Sequence, residues 1–230
     1  VGVMKSAAGT RLLRETGSAL RLGLNQAVRR NLRGVWVRGD LPASGPVVWM
    51  SNHHSWWDFF VAASALKAMG RRSGVLMEAA NMGNRELFRG AGVLGTDELR
   101  RTTHAFRTHS VLVVFPEGEL FPAGPLRPIR PGAEWIANRS GAQLAVVATR
   151  VVLRGQQAPE AYLDILGNDT RAHPESAPPP DAGALLREGL AHLDDELQNS
   201  DPNVPLPGFV KVVSGVRSWQ ERLNKHGLLG

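Results

Sequence analysis

Five apolar runs of strand length recur along the chain with helix-length stretches between them: VVWMS (47–51), SGVLM (73–77), VLVVF (111–115), LAVVATRVVL (144–153) and AYLDIL (161–166). The intervening DFFVAASALKAM, TDELRRTTHAFRTH and GAEWIANRS have helical composition. Strand, helix, strand in this order predicts an α/β domain whose central sheet, mostly parallel or mixed, is covered by helices. A length of 230 residues suits one domain with a single core. HPESAPPPDAG (173–183) reads as a turn-rich break, ALLREGLAHLDDELQ as an amphipathic helix, and DPNVPLPG (201–208) as punctuation before a last short helix near Ser218 to Asn224.

Composition narrows the chemistry. The absence of cysteine removes disulfides, thiolate catalysis and thiolate metal sites. A net charge of +6 favours an anionic partner: nucleic acid, a phosphorylated metabolite or anionic lipid. No window reaches the ~18 uninterrupted apolar residues of a membrane span, and the first residues lack the apolar core of a signal peptide. The segment TRLLRETGSALRLGLNQAVRRNLR (10–33) sets arginines around an apolar stripe at Leu20, Leu24, Val28 and Leu32. Such a helix either lies on a membrane surface, with Arg at lipid phosphate and Leu in the acyl boundary, or packs its stripe on its own domain. The expected division is a basic amphipathic segment over 1–34 and the main domain over 35–230, peripheral at the cytoplasmic face of a membrane.

Two turns carry the candidate chemistry. SNHHSWWDFF (51–60) follows the run ending at Ser51, so SNHHS forms a strand-to-helix turn, where sites in such sheets are built. Ser55 followed by Asp58 before an apolar run is a capping-box pattern, which gives Asp58 a structural role. The functional reading pairs Asp58 with His53: a carboxylate accepting one ring N–H fixes the tautomer and leaves the other nitrogen free to take a proton. Trp56 and Trp57 open the helix, one suited to packing on the sheet and the other to a lipid interface. The second turn is Phe115, Pro116, Glu117 and Gly118, at the end of VLVVF, where a charge between turn formers suits a site wall.

Together, Asn52-His53-x-x-x-x-Asp58 and FPEG (115–118) resemble the NHxxxxD and third blocks of the glycerolipid acyltransferases, the lysophosphatidate (1-acylglycerol-3-phosphate) acyltransferases and their relatives. The segment KAMGRRSGVLMEAANMGNRELFRGAGVLGTD lies where the family's second block belongs, and LAVVATRVV is the natural candidate for the apolar fourth. The resemblance implies that fold, with His53 and Asp58 catalytic and Phe115, Pro116, Glu117 and Gly118 lining the acceptor side. It also implies base-assisted attack of a lipid hydroxyl on the thioester of acyl-CoA or acyl carrier protein, which enters as co-substrate. No bound cofactor, metal or covalent enzyme intermediate is called for, since a thioester is already activated. The arginines that the family associates with the acceptor's phosphate are replaced here: Glu98 follows Asp97, and Glu119-Leu120 follows FPEG. Arg100 and Arg101, or Arg127, Arg130 and Arg150, are the arginines that could supply such charge from other positions. A lysophospholipid such as lysophosphatidate is the acceptor the family implies, and a lipid hydroxyl without phosphate is the one these departures suggest.

Rival readings are weaker. Gly90-x-Gly92-x-x-Gly95 has the spacing of a dinucleotide (NAD(P)) fingerprint, but what precedes it, NRELFR, is charged and helix-like where a strand is required. Adjacent His53 and His54 diverge, which disfavours a metal site. Nucleic-acid binding has only the charge in its favour. A membrane-surface lipid-binding protein without turnover is the non-enzyme alternative.

Overall fold

Val47–Ser51 is buried along its whole length, so this strand (β2) is covered on both faces, as a continuous apolar run in a parallel sheet requires. The computed structural model describes residues 23–78, 93–98, 110–167, 181–219 and 221–222. Its strands are β1 (Gly34–Arg38), β2, β3 (Arg72–Met77), β4 (Val93–Gly95), β5 (Ser110–Val114), β6 (Gln143–Val152), β7 (Glu160–Gly167) and β8 (Val210–Ser214). They form one mixed sheet in the order β4-β3-β5-β2-β6-β7-β1-β8. The pairings β3∥β4, β3∥β5, β2∥β5 and β2∥β6 make one half parallel; β7 reverses against β6, β1 runs with β7, and β8 reverses against β1.

These directions fix which ends meet. The C-terminal ends of β2, β3, β4, β5, β6 and β8 share one rim of the sheet with the N-terminal ends of β1 and β7. Every candidate turn emerges at that rim.

Helices cover both faces. Residues 23–31 (α1) and Asp58–Ala68 (α2) lie on one side, where Val28, Leu32, Val61, Ala65 and Leu66 meet Val47, Trp49, Val111 and Val113. Gly132–Ser140 (α3) and Ala182–Asn199 (α4) lie on the other, where Ile136, Leu186, Leu190 and Leu193 meet Val48, Met50, Leu112 and Tyr162. The period-two alternation of each strand thus serves two cores at once. Asp181 caps α4, its Oδ1 accepting from the N–H groups of Gly183 (2.9 Å) and Ala184 (3.2 Å). Gly189 lets α4 approach β7 closely: a Cβ there would stand 2.1 Å from Leu166 Cδ1.

The α/β architecture and the five apolar runs match expectation to within a residue at either end. Three strands were not anticipated. β1 lies where the basic segment gives way to the main domain, β4 is three residues long, and β8 is an edge strand with Val210 and Lys211 exposed and only Val213 buried. Val28 in α1 and Leu32 just after it are fully buried while Arg29 and Arg30 are exposed, so this part of the apolar stripe packs on the domain it precedes. The stripe residue Leu20 lies outside the described residues, as do most of the helix expected over TDELRRTTHAFRTH and the turn-rich stretch 173–180. Of the former, Thr96–Glu98 form a 3-10 turn. Helical residues 219 and 221–222 mark the start of the expected last helix. Among the described residues, no helix is long and apolar enough to cross a membrane.

Candidate active site

β2 ends because Asn52 replaces the next main-chain pairing with its side chain. Its Nδ2 donates to the Thr149 carbonyl (3.0 Å) and its Oδ1 accepts from the Thr149 N–H (2.9 Å), while Ser51 and Thr149 hydroxyls meet at 2.8 Å. A fully buried amide thus anchors the turn to β6 and releases the chain into SNHHS.

Asp58 closes the turn. Its Oδ2 accepts from the N–H groups of His54 (2.7 Å) and Ser55 (2.7 Å) and lies 3.1 Å from His53 Nδ1. The Ser55 hydroxyl accepts in return from the Trp57 N–H at 3.2 Å. The oxygen that closes the turn is therefore also the one beside the His53 ring. Because a carboxylate only accepts, Nδ1 of His53 carries a proton; in the neutral ring this leaves the lone pair on Nε2, which has no partner among the described residues. The ring stacks on Phe115 at 4.3 Å between centroids and is partly exposed to a cleft.

His54 is in a different situation. Its ring is buried between Arg150 and Glu117, with Nδ1 2.7 Å from Arg150 Nη1 and Nε2 2.9 Å from Glu117 Oε1. A guanidinium only donates, so Nδ1 accepts and the proton sits on Nε2, facing the carboxylate. Arg150 is itself held by Asp194 of α4, at 2.5 and 2.7 Å, and by the Gly124 carbonyl at 2.9 Å.

Glu117 joins the two turns from below. Oε2 accepts from the His53 N–H (2.7 Å), and Oε1 accepts from His54 Nε2 and from the Arg127 N–H (3.0 Å). Burial alone pushes this carboxyl up; the bonds from His54, His53 and Arg127 outweigh it and hold the group below the usual carboxylate range. The Phe121 N–H donates to the His53 carbonyl (2.9 Å) and the Arg130 N–H to the Pro116 carbonyl (2.9 Å), so the loop after FPEG is laced to both turns.

Of the residues singled out from sequence, His53, Phe115, Pro116 and Gly118 line a cleft of about 450 Å³. Glu117 does not: its side chain is fully buried and spent on the turn. Arg127 contributes its backbone, while its side chain is exposed with the guanidinium 5.8 Å from the Phe121 ring centroid. Arg150 is buried in the network with His54, and Arg100 and Arg101 lie outside the described residues. Arg130 is the permanent cation among the described cleft residues, its guanidinium 3.1 Å from where a Gly118 Cβ would stand; Glu78 and Glu119 are the carboxylates. Gly118 has φ +78°, which favours glycine. Phe59, Phe60, Leu76, Met77, Val114 and Ile136 form apolar walls. Trp56 stands at the cleft, 61% exposed, while Trp57 packs on the core.

Sequence reasoning missed the parts played by Asn52, His54, Arg150 and Asp194. Only a buried Arg in the apolar run 144–153 signalled that an interior partner was needed. Gly95 ends strand β4 beside β3, whereas a dinucleotide fingerprint puts its third glycine in the helix that packs on the strand. Among the described residues, no cluster of three His, Asp or Glu has the makings of a metal site.

A family model described as "Acyltransferase" matches residues 34–150, from the start of β1 into β6. Among solved structures, the chain is similar to the crystal structure of the 1-acyl-sn-glycerophosphate (LPA) acyltransferase, PlsC, from Thermotoga maritima, with 15% identity over 84% of each chain and a TM-score of 0.51. At that identity the likeness is one of fold. A search of curated proteins finds no match.

Proposed function

Because the chain belongs to the acyltransferase family, over residues that span both turns, we propose that it moves a fatty acyl group from acyl-CoA or acyl carrier protein to a lipid hydroxyl, most simply that of a lysophospholipid such as lysophosphatidate. The observation that carries this reading is His53: Nδ1 bound to Asp58, Nε2 without a partner among the described residues, ring on the wall of an apolar cleft. In the proposed step Nε2 takes the proton of the acceptor hydroxyl as its oxygen bonds to the thioester carbonyl. The tetrahedral intermediate then expels the thiolate, which leaves with that proton. Asp58 stabilises the imidazolium between the two events. Positioned base catalysis contributes about 10² to 10⁴ in rate, and alignment of hydroxyl against thioester supplies much of the remainder. The apolar walls around Phe60, Met77 and Ile136 suit an acyl chain, and the exposed Trp56 suits contact with a membrane surface.

A second reading, a lipid hydroxyl without phosphate, is favoured by the charge of the described cleft residues: one arginine, Arg130, beside Glu78 and Glu119. Thiol release from acyl-CoA by the purified chain, followed with lysophosphatidate and with neutral lipid alcohols, separates the two. Turnover with lysophosphatidate that is lost in His53→Ala supports the first. Turnover with neutral alcohols alone supports the second. Vesicle binding without turnover on any acceptor returns the chain to the non-catalytic lipid-binding class.

A further inference from the structure

At the far end of the rim that carries the two turns, a second cavity of about 490 Å³ opens between Arg33, Lys211, Arg217 and Glu221, floored by Ser214 to Val216. It lies three to four strands from β2, roughly 14–19 Å along the sheet. Among the described lining residues three cations face it against one carboxylate, and that carboxylate is already occupied: Glu221 Oε1 accepts from Arg33 Nη2 (3.1 Å) and Oε2 from the Ser218 N–H (2.8 Å). Arg33 pairs also with buried Glu160, yet its Nε is buried with no partner among the described residues. Lys211 sits 4.6 Å from the Trp36 ring centroid, and neither it nor Arg217 has a carboxylate partner among the described residues. Burial first, and then the nearby Arg33 charge, lower the Lys211 pKa despite Glu221 and Glu160.

The rim itself says what kind of anion. Among the described residues, seven large apolar side chains are prominently exposed. Five of them stand at this rim: Trp56 after β2, Leu120 after β5, Trp135 in the first turn of α3, Leu153 after β6 and Trp219 after β8. Trp219, two residues along the chain from both Arg217 and Glu221 of the cavity, is 64% exposed. Aromatic side chains spread along one edge, with cations set among them, match a bilayer's headgroup layer better than a soluble ligand.

We propose that the Arg33–Lys211–Arg217 cavity is a non-catalytic site for the phosphate of an anionic phospholipid headgroup, seating this rim on the membrane. The site is separate from the cleft and does not depend on the acyl-transfer reading, because it is tested by binding alone. The full chain is sedimented with vesicles of phosphatidylcholine, with and without phosphatidylglycerol. The wild type binds the phosphatidylglycerol vesicles more tightly, and K211Q/R217Q loses about thirty-fold of that affinity, from two charges near the surface. R72Q/R139Q removes the same charge from the opposite end of the sheet and keeps wild-type binding. Equal losses in the two double variants, or none in K211Q/R217Q, overturn the site. Inorganic phosphate is the soluble probe: if it protects the wild type but not K211Q/R217Q against heat while vesicle binding is the same for both, the ligand is a free phosphate and the lipid assignment is wrong.

Discussion

Glu117→Gln changes two atoms' chemistry and almost no volume. The carboxylate accepts from three donors, the His53 N–H on Oε2 and the His54 ring N–H and Arg127 N–H on Oε1. A glutamine oxygen can serve one side only. In its better orientation it keeps His54 and Arg127, and its amide N–H₂ then faces the His53 N–H, donor against donor. His54 cannot adapt by moving its proton, because Arg150 occupies Nδ1. A hydrogen bond to a charged group contributes about 1.5–3 kcal/mol, and a buried donor left unmet costs about 1–3 kcal/mol, so a net loss of about 2–4 kcal/mol is expected. A domain with ~5–15 kcal/mol in hand stays folded. The loss also depends on pH. The Glu117 pKa is lowered in the fold, so the unfolded chain binds more protons as pH falls through the ordinary Glu range near ~4.3 and below. The carboxylate's contribution is whole above that range and fades beneath it. Urea unfolding of both proteins across this range therefore shows a gap in midpoint that is widest near neutrality and narrows on acidification. At neutral pH the variant's kcat falls too, because the main chain of His53 is what the carboxylate holds. A gap under about 0.5 kcal/mol at neutral pH, or one that stays constant on acidification, refutes the assignment of Glu117 as the tie between the turns.

His53→Ala is expected to lower kcat by about 10² to 10⁴ with little change in unfolding midpoint, since its ring faces the cleft and carries no cap; thiol release and urea unfolding together check both halves. Asp58→Asn keeps an acceptor oxygen for the His54 and Ser55 N–H groups but no longer stabilises an imidazolium, so turnover drops by about 10² or more while stability falls by about 1–2 kcal/mol. Turnover within a few-fold of wild type makes Asp58 a cap and nothing else. Arg150→Met leaves His54 Nδ1 without its donor inside the protein and is expected to cost about 3–5 kcal/mol, less when paired with Asp194→Asn; additive losses in the double-mutant cycle refute the coupling. Gly118→Ala forces a side chain into φ +78° and against Arg130, for a loss of about 1–2 kcal/mol read by thermal unfolding.

The sheet's interior was legible because strands buried on both faces must be written in uninterrupted apolar residues, as VVWMS and VLVVF are. Its edges were not. β8 exposes Val210, Lys211 and Ser214, and a run of that mixture reads equally well as a loop until β1 is there to pair with it. β4 needs only three residues because β3 supplies the partner. The site divides in the same way. His53 and Asp58 are five residues apart and announce themselves by spacing, whereas His54 meets Arg150 across 96 residues and Arg150 meets Asp194 across 44. No local pattern encodes a partner that only the folded sheet brings near. Glu117 was readable as important and misread in direction: a charge at a strand end suggests a cleft wall, and the fold turns it inward to collect the turn's own donors.

The two adjacent histidines are chemically identical in sequence, and the fold makes them unequal by filling one lone pair. At His54 the electron pair on Nδ1 is committed to a guanidinium, and the proton on Nε2 to a carboxylate. At His53 the Nε2 pair has no partner among the described residues. Among the described residues, His53 is therefore the imidazole that keeps a free lone pair at the cleft, and what sets it apart from its neighbour is an arginine four strands further along the chain.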